Sequence, residues 1–371
     1  MKNENYSPET DYSYFTIEAD IKFMENITHQ LSLGFIVYCI VLLCTRIGVY
    51  ICVHDVCTRQ DPVHGIIERK EETNLEKRRQ RVVVLMICAI LALSLFCIIV
   101  GDHLQQAKEA QVLSGFQQLL AKEQITVAEV LRYLEEKLTS VSRENAARLV
   151  LGLEETQQKN LAKWEKRYAD LDLQKEIFRI YQKTWTFENL GDTSDQDLKA
   201  LLLETTENGF KVETAEGHFF PVIDYTFYRQ YYQKLPSDLV AYFELMATES
   251  EETPVKDAAL MIEWYEILVR AEKQEQFIKE YSSSTQVEPV RRLLKHYVTF
   301  ALFGCDNTPL FLYDTKRMDP EARKVYTEYV QTHKDGDFFA LLAEFLNLLE
   351  ANDYCLTKEV DDFRTKALAA W

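Results

Sequence analysis

Glycine is scarce in this sequence: only 11 of the 371 residues are glycine, and 8 are proline. Phosphate-binding loops and dinucleotide-binding turns need closely spaced glycines, and neither pattern is present. The G-x-S-x-G and H-E-x-x-H patterns of many hydrolases are also missing. The chain therefore lacks the best-known motifs of nucleotide-dependent enzymes, serine hydrolases and zinc proteases. We predict no catalytic residue.

Positive charge is also in short supply. The chain has 42 Lys and Arg residues against 59 Asp and Glu residues, which gives a net charge of −17. Nucleic acid is bound largely through basic side chains that neutralise phosphates. We therefore expect no nucleic-acid partner.

Histidine and cysteine do not form a recognisable metal site. The seven histidines are scattered, and the spacing of the segment CVHDVC at 52–57 matches no zinc pattern. Six of the eight cysteines lie in or beside two apolar runs, where free cysteine acts as a small apolar residue. We predict neither a metal nor a cofactor, and the sequence leaves open whether Cys305 and Cys355 are bridged.

Two long apolar runs occupy residues 31–53 and 82–100. A helix needs about 20 apolar residues to cross the hydrocarbon core of a bilayer. The second run lies too far from the N-terminus for a cleaved signal peptide and lacks a small-residue cleavage site. We predict two retained transmembrane helices, at 31–56 and 82–100; Arg46 in the first could snorkel to the interface or meet a buried partner.

The orientation follows from the distribution of Lys and Arg around these runs. The loop at 57–81 contains seven Lys or Arg residues, whereas the tail at 1–30 contains only Lys2 and Lys22. Short basic loops stay in the cytoplasm. We predict a cell-membrane protein with two spans, a cytoplasmic loop at 57–81, and both the short tail and everything after residue 100 outside.

The segment 101–188 predicts a helical stalk. It contains no proline before residue 184, and apolar residues recur at helical spacing. Thr126 followed by Glu129 is a capping-box pattern, and Ser142 with Asn145 gives a second helix start. The heptads break repeatedly, so we expect two or three helices in a hairpin or bundle, which could also form a homodimer.

The segment 189–371 predicts a mainly α-helical outer domain. Helices are expected at 225–234, 237–248, 254–280, 287–303, 320–333, 337–351 and 357–368, and a single β-hairpin near 210–223, where Pro221 indicates an edge strand. Two helix–turn–helix segments are alike at an offset of about 52 residues, as in helical-repeat proteins.

Aromatic residues and carboxylates cluster around the predicted hairpin. Such a surface suits a saccharide or an extended peptide, and two carboxylates could also perform acid–base chemistry on a glycosidic bond. The alternative is that the aromatic residues are the core between the hairpin and the helices. The candidate ligand-binding residues are Glu213, Glu216, Phe219, Phe220, Asp224 and Tyr225.

Two longer segments carry a resemblance to a known group. KVETAEGHFFPVIDYTFY at 211–228 and YVTFALFGCDNTPLFLYDTKRMDPEARKVY at 297–326 are similar to an uncharacterised group of Gram-positive cell-surface proteins. The resemblance covers roughly 125–370 and implies a helical extracytoplasmic domain at the cell envelope, without any known reaction. The two-span anchor departs from the single anchor or lipid expected of that group.

The sequence thus predicts a membrane-anchored, non-enzymatic protein that binds or scaffolds at the cell envelope. Its expected partners are the bilayer and another envelope protein, a peptide or a cell-wall polymer. The alternatives are a wall hydrolase that uses carboxylates near the hairpin and a transmembrane sensor that acts through the loop at 57–81. A hydrolase needs two converging carboxylates, whereas a binding protein needs only exposed aromatic side chains.

Overall fold

The computed structural model describes residues 68–187 and 190–371. The predicted tail at 1–30, the first predicted span at 31–56, Arg46, and the loop up to residue 67 lie outside the described residues. The described chain is mainly helical and contains three small antiparallel strand pairs. The mainly α fold class is confirmed, but two transmembrane helices are not.

The first described helix, α1, runs without a break from Glu68 to Leu120. Its stretch from Arg78 is long and apolar enough to cross a membrane, and no residue of the apolar window is buried within the protein. Among the described residues it is the one helix with these properties. The chain divides by packing after Leu95, so the second compact unit begins at Phe96, inside this helix.

Three helices follow α1: α2 at Val127–Lys137, α3 at Arg143–Tyr168 and α4 at Leu171–Tyr181. The predicted capping box is present, because the Thr126 hydroxyl accepts a hydrogen bond from the Glu129 N–H while the Glu129 carboxylate accepts one from the Thr126 N–H. Ser142 caps α3 by accepting from the Asn145 N–H. Both predicted helix starts are therefore confirmed, since each satisfies backbone donors that a helix leaves free.

A carboxylate on α1 holds the start of α3. Glu109 accepts hydrogen bonds from the side chains of Gln105, Ser142 and Asn145. Burial acts to raise the pKa of Glu109, but these hydrogen bonds outweigh it and lower the pKa to about 2. The part of α1 beyond the apolar stretch is thus tied to the helices that follow it.

The predicted hairpin is present with the expected bounds. After α5 at Gln196–Glu207, strand β1 at Phe210–Ala215 pairs antiparallel with β2 at His218–Ile223. Glu216 and Gly217 join the strands, both at positive φ, as a two-residue type I′ turn requires. A ten-residue 3-10 helix, Tyr225–Lys234, follows where a helix was predicted.

The remaining chain alternates helices with two strand pairs that we did not predict. Helix α6 spans Ser237–Glu251, strands β3 and β4 are Val255–Lys256 and Ala259–Leu260, and strands β5 and β6 are Gly304–Cys305 and Thr308–Pro309. The predicted helix at 254–280 therefore starts ten residues late, because Asp257 and Ala258 adopt positive φ in the β3–β4 turn.

The two predicted helix–turn–helix pairs keep the predicted bounds to within one residue, except for the late start of the first helix. Helices α7 and α8 are Trp264–Glu280 and Val287–Phe303, helices α9 and α10 are Pro320–Thr332 and Asp337–Ala351, and α11 follows at Lys358–Ala370. Each pair follows a short strand pair. These helices share one core, which includes Trp264, Tyr297, Tyr326 and Phe345.

The predicted stalk shares its core with the hairpin region. Buried residues of α1, α2 and α3 form one hydrophobic cluster with residues of β1, the 3-10 helix and α6, among them Phe116, Leu134, Leu153, Phe210 and Phe243. A smaller cluster joins α4 and α5 to the other face of the hairpin. The segments on both sides of residue 188 are therefore packed together rather than forming separate cores.

Candidate functional site

Three of the six predicted ligand-binding residues have local structural roles. Phe219 is buried in the small core beside α4, at 2 % exposure. Asp224 caps the 3-10 helix by accepting hydrogen bonds from the N–H and the hydroxyl of Thr226. Glu216 is exposed in the hairpin turn, where its N–H donates to a carboxylate oxygen of Asp257.

The other three predicted residues line one cavity. Glu213, Phe220 and Tyr225 border a space of about 450 Å³ between the hairpin and the end of α6. Glu213 forms an ion pair of 2.7 Å with Lys256, and the Tyr225 hydroxyl donates to the Glu154 carboxylate over 2.9 Å. The structure thus brings together half of the predicted set, with the polar groups of Glu213 and Tyr225 already bonded within the protein.

Glu154 is the centre of a buried polar cluster that the sequence did not reveal. It is 5 % exposed, and its carboxylate accepts hydrogen bonds from the hydroxyls of Tyr225 and Tyr242. Burial raises the pKa of Glu154, although the two hydroxyls act to lower it. Nearby, the Tyr228 hydroxyl donates to the buried amide of Gln157, so this cluster is a satisfied part of the core.

A second, larger opening is lined by residues of β1 together with α5 and the segment that follows α6, and we call it the β1 groove. Its volume is about 830 Å³, within the usual range for small-molecule and peptide sites. Its walls come from α5 on one side and from the segment at 251–261 on the other. Three consecutive strand residues, Lys211, Val212 and Glu213, border it.

One end of the β1 groove is an aromatic wall. Tyr181, Trp185 and Phe187 line it, and the Tyr181 ring lies 5.7 Å from that of Trp185 and 4.9 Å from that of Phe187. Trp185 is 65 % exposed, and Leu203 and Met261 on the opposite walls are also more than half exposed. Large apolar side chains left open to solvent around a concave surface are typical of a binding site.

The charged residues of the groove are mostly paired. Glu213 is bound by Lys256, Glu251 by Arg229 at 2.7 Å and Glu252 by Arg270 at 3.0 Å. The hydrogen bonds from Arg229 lower the pKa of Glu251. Within the part of the chain that the structure describes, Lys199 is an exposed cation of this groove without an ion pair. The other two lysines of the groove are engaged, Lys256 by Glu213 and Lys211 by the Ser250 carbonyl, so a ligand would meet an apolar surface and the ammonium of Lys199.

Sequence reasoning missed Trp185 and Lys199, the two residues that distinguish the β1 groove. The segment TWTFEN at 184–189 carries the only available signal, an aromatic pair directly after an amphipathic helix. Nothing in the sequence places Lys199 of α5 opposite that pair. Their juxtaposition depends on the fold of α4 and α5 against the hairpin.

Neither metals nor relatives identify the site. Among the described residues no group of three or more His, Cys, Asp or Glu side chains could hold a metal ion, and Cys305 and Cys355 are not bridged. Comparison of the chain with protein-family models, curated proteins and solved structures gives no significant match.

Proposed function

We propose that this chain is a membrane-anchored binding protein of the cell envelope, and that it acts by holding a ligand or partner in the β1 groove. The observation that carries the proposal is the open groove itself, with the exposed Trp185 at its aromatic end. Aromatic side chains offer a large contact area at low conformational cost, which is why they are enriched at recognition surfaces. The helix α1 supplies the anchor.

Binding is favoured over hydrolysis by the state of the carboxylates. A glycosidase needs one carboxyl group with a raised pKa and a second carboxylate that is free to act. In the groove Glu213, Glu251 and Glu252 are each engaged by a cation, and the pKa of Glu251 is lowered rather than raised. We therefore propose a non-enzymatic role.

The groove proposal predicts a strong dependence of binding on Trp185. Full-length protein in nanodiscs would be screened against a phage-displayed linear peptide library and against purified cell-wall polymers. We expect retention of at least one probe class by the wild type, and at least about tenfold weaker binding by Trp185→Ala, since loss of an anchoring aromatic contact costs roughly 2 kcal/mol or more.

Tyr313→Ala is the matched control for this experiment. Tyr313 is 64 % exposed, similar to Trp185, but it does not line the groove. Its replacement should leave retention unchanged. If every retained probe binds Trp185→Ala as well as the wild type, the groove is not the binding site and the proposal is wrong.

We place the large domain at 101–371 on the outer face of the cell membrane. The basic loop at 57–81 supports a cytoplasmic position for that loop, and the resemblance to Gram-positive surface proteins supports an envelope location. Under this proposal residues 31–56 form a further span, and the tail at 1–30 and residues 101–371 lie outside. The sensor role and a homodimer through 101–188 stay predictions.

Labelling of cysteines tests this topology. In a background with all eight native cysteines replaced by serine, a cysteine at position 60 should resist a membrane-impermeant maleimide in intact cells. A cysteine at the exposed Lys199 should react, because that residue is predicted to lie outside. Permeabilised cells provide the control, in which both positions should react; the opposite pattern in intact cells would refute the proposed orientation.

A further inference from the structure

The outer border of β1 carries backbone groups without a strand partner. In the register of this hairpin, Ala215 pairs with His218 next to the two-residue turn, and such a closing pair exchanges both hydrogen bonds. The hydrogen bond from the Asp224 N–H to the Gly209 carbonyl extends the same alternation. The N–H and C=O groups of Phe210, Val212 and Thr214 therefore point away from β2.

These outward groups have no hydrogen-bond partner among the residues that the structure describes. The corresponding border of β2 is closed by two features. The side-chain amide of Gln174 accepts from the Phe219 N–H at 2.9 Å and donates to the Phe219 carbonyl at 2.7 Å, and Pro221 has no N–H to offer. One side of the hairpin is thus closed, whereas on the other side the donors and acceptors of Val212 and Thr214 stay unbonded beyond the buried Phe210.

The β1 groove borders this edge at Val212, while Thr214 lines the smaller cavity beside it and Phe210 is buried at 1 % exposure. Successive side chains of a strand point to opposite faces, so a space lined by three consecutive residues must run beside the strand rather than over one face. Lys211, Val212 and Glu213 are such a series. Val212 is only 7 % exposed, so its unpaired backbone groups lie in a partly dry environment. Unsatisfied backbone groups in such a place favour a partner that can bond to them.

We propose that the occupant of the β1 groove is an extended peptide segment of a partner protein, which pairs with β1 as a third strand. This inference rests on the binding function proposed above and specifies its ligand. Free N–H and C=O groups repeat every second residue, about 6.8 Å apart along the strand, which is the repeat of another polypeptide backbone. A saccharide has no such repeat of alternating donors and acceptors.

The walls of the groove specify the side chains of that peptide. The aromatic wall at Tyr181, Trp185 and Phe187 suits an apolar or aromatic residue. Lys199, exposed and without an ion pair among the described residues, suits a carboxylate on the same segment. The expected ligand is therefore an extended segment that combines a large apolar side chain with an acidic one.

The peptide library described above supplies the probe, and the decisive variant is Thr214→Pro. A proline there removes one outward N–H and fills the border of the strand. Pro221 already occupies an outward-facing position on β2, two residue pairs away, so the hairpin tolerates this geometry. Peptides selected on the wild type should bind Thr214→Pro at least about tenfold more weakly, since the variant loses a hydrogen bond and blocks the approach of the peptide.

Two controls separate backbone pairing from other effects. Thr214→Val keeps the backbone N–H and the β-branched shape, so it should bind as the wild type does. Selected peptides would also be resynthesised with N-methyl groups at every second residue, either the odd-numbered or the even-numbered ones. Each version lacks the N–H donors of one edge of the extended peptide, so one of the two should lose binding to the wild type. The second control does not depend on the folding of any variant.

The outcomes distinguish this inference from the broader proposal. Strand pairing is wrong if the selected peptides bind Thr214→Pro as tightly as the wild type and still bind after N-methylation in either frame. If the same peptides bind Trp185→Ala more weakly, the β1 groove is still their binding site. If no peptide is enriched over empty nanodiscs while a wall polymer binds in a Trp185-dependent way, the peptide ligand is wrong and the binding function stands. If neither probe class is retained, both proposals fail.

Discussion

Gly304→Ala is expected to lower the free energy of unfolding by about 2–6 kcal/mol. Gly304 ends α8 and begins β5 with φ of 73° and ψ of −151°, a region that is essentially restricted to glycine and costs other residues roughly 1–3 kcal/mol. A Cβ there would press against the carbonyl of Thr308 and lie 2.6 Å from the backbone nitrogen of Leu310. Because backbone atoms cannot rotate away, overpacking adds roughly 1–3 kcal/mol.

Urea denaturation of the detergent-solubilised full chain, followed by tryptophan fluorescence, measures this effect. All four tryptophans lie between positions 164 and 371, so the signal reports on the part of the chain that contains Gly304. Gly191→Ala is the matched control, because nothing lies within 4 Å of its added Cβ, and it should change stability by no more than about 0.5 kcal/mol. Equal midpoints for the two variants would contradict the argument from backbone geometry.

Arg270→Leu is expected to cost about 3–5 kcal/mol at neutral pH, the usual penalty for leaving buried charge without its partner. Arg270 is 2 % exposed, and it binds Glu266 at 2.8 Å and Glu252 at 3.0 Å, with Glu249 at 3.7 Å. Glu249 also accepts hydrogen bonds from the Tyr297 hydroxyl. Without the guanidinium, Glu249 at 13 % exposure would lose its cation, while Glu266 and Glu252, at 32 % and 72 % exposure, would keep contact with solvent.

The defect should shrink on acidification. Burial raises the pKa of Glu249 above its ordinary value of 4.5, although Tyr297 and Arg270 act to lower it. Removal of Arg270 raises that pKa further, so the folded variant keeps a proton that the unfolded chain releases above about pH 4.5. The variant therefore loses stability as the pH rises from about 4.5 through the raised pKa of Glu249. Urea denaturation should show a larger loss in the free energy of unfolding of Arg270→Leu, relative to the wild type, at pH 7 than at pH 4.5.

Arg229→Leu is the control for Arg270→Leu. Arg229 also contacts two carboxylates, those of Glu244 and Glu251, but at the surface, where an ion pair contributes about 0–1 kcal/mol. We expect a change of that size, with little dependence on pH. A loss from Arg229→Leu as large as that from Arg270→Leu would show that burial is not the deciding factor.

Much of the secondary structure could be predicted because its signals are local. The capping box at Thr126 and Glu129 satisfies backbone donors within one turn, and the hairpin at 210–223 combines alternating side chains with a glycine at its turn. The bounds of α8 and α10 agree with the prediction for the same reason. By contrast, β3 and β4 have only two residues each, too few for an alternation pattern, so the sequence predicts a helix across them.

The candidate site was only partly predictable. The sequence placed aromatic and acidic residues around the hairpin, but it could not separate the core residue Phe219 from Phe220, which lines a cavity. That distinction depends on which face of the strand α4 covers. Glu154 and Arg270 likewise read as ordinary surface charges until packing buries them.

The sequence by itself determined the apolar run of α1, the helical class and the position of the main hairpin, because hydrophobic periodicity and capping act within a few residues. Only the tertiary structure decided that Trp185 and Lys199 border the same groove and that Gln174 closes one edge of the hairpin while the other stays open. These contacts join residues up to 45 positions apart, and no local pattern encodes them.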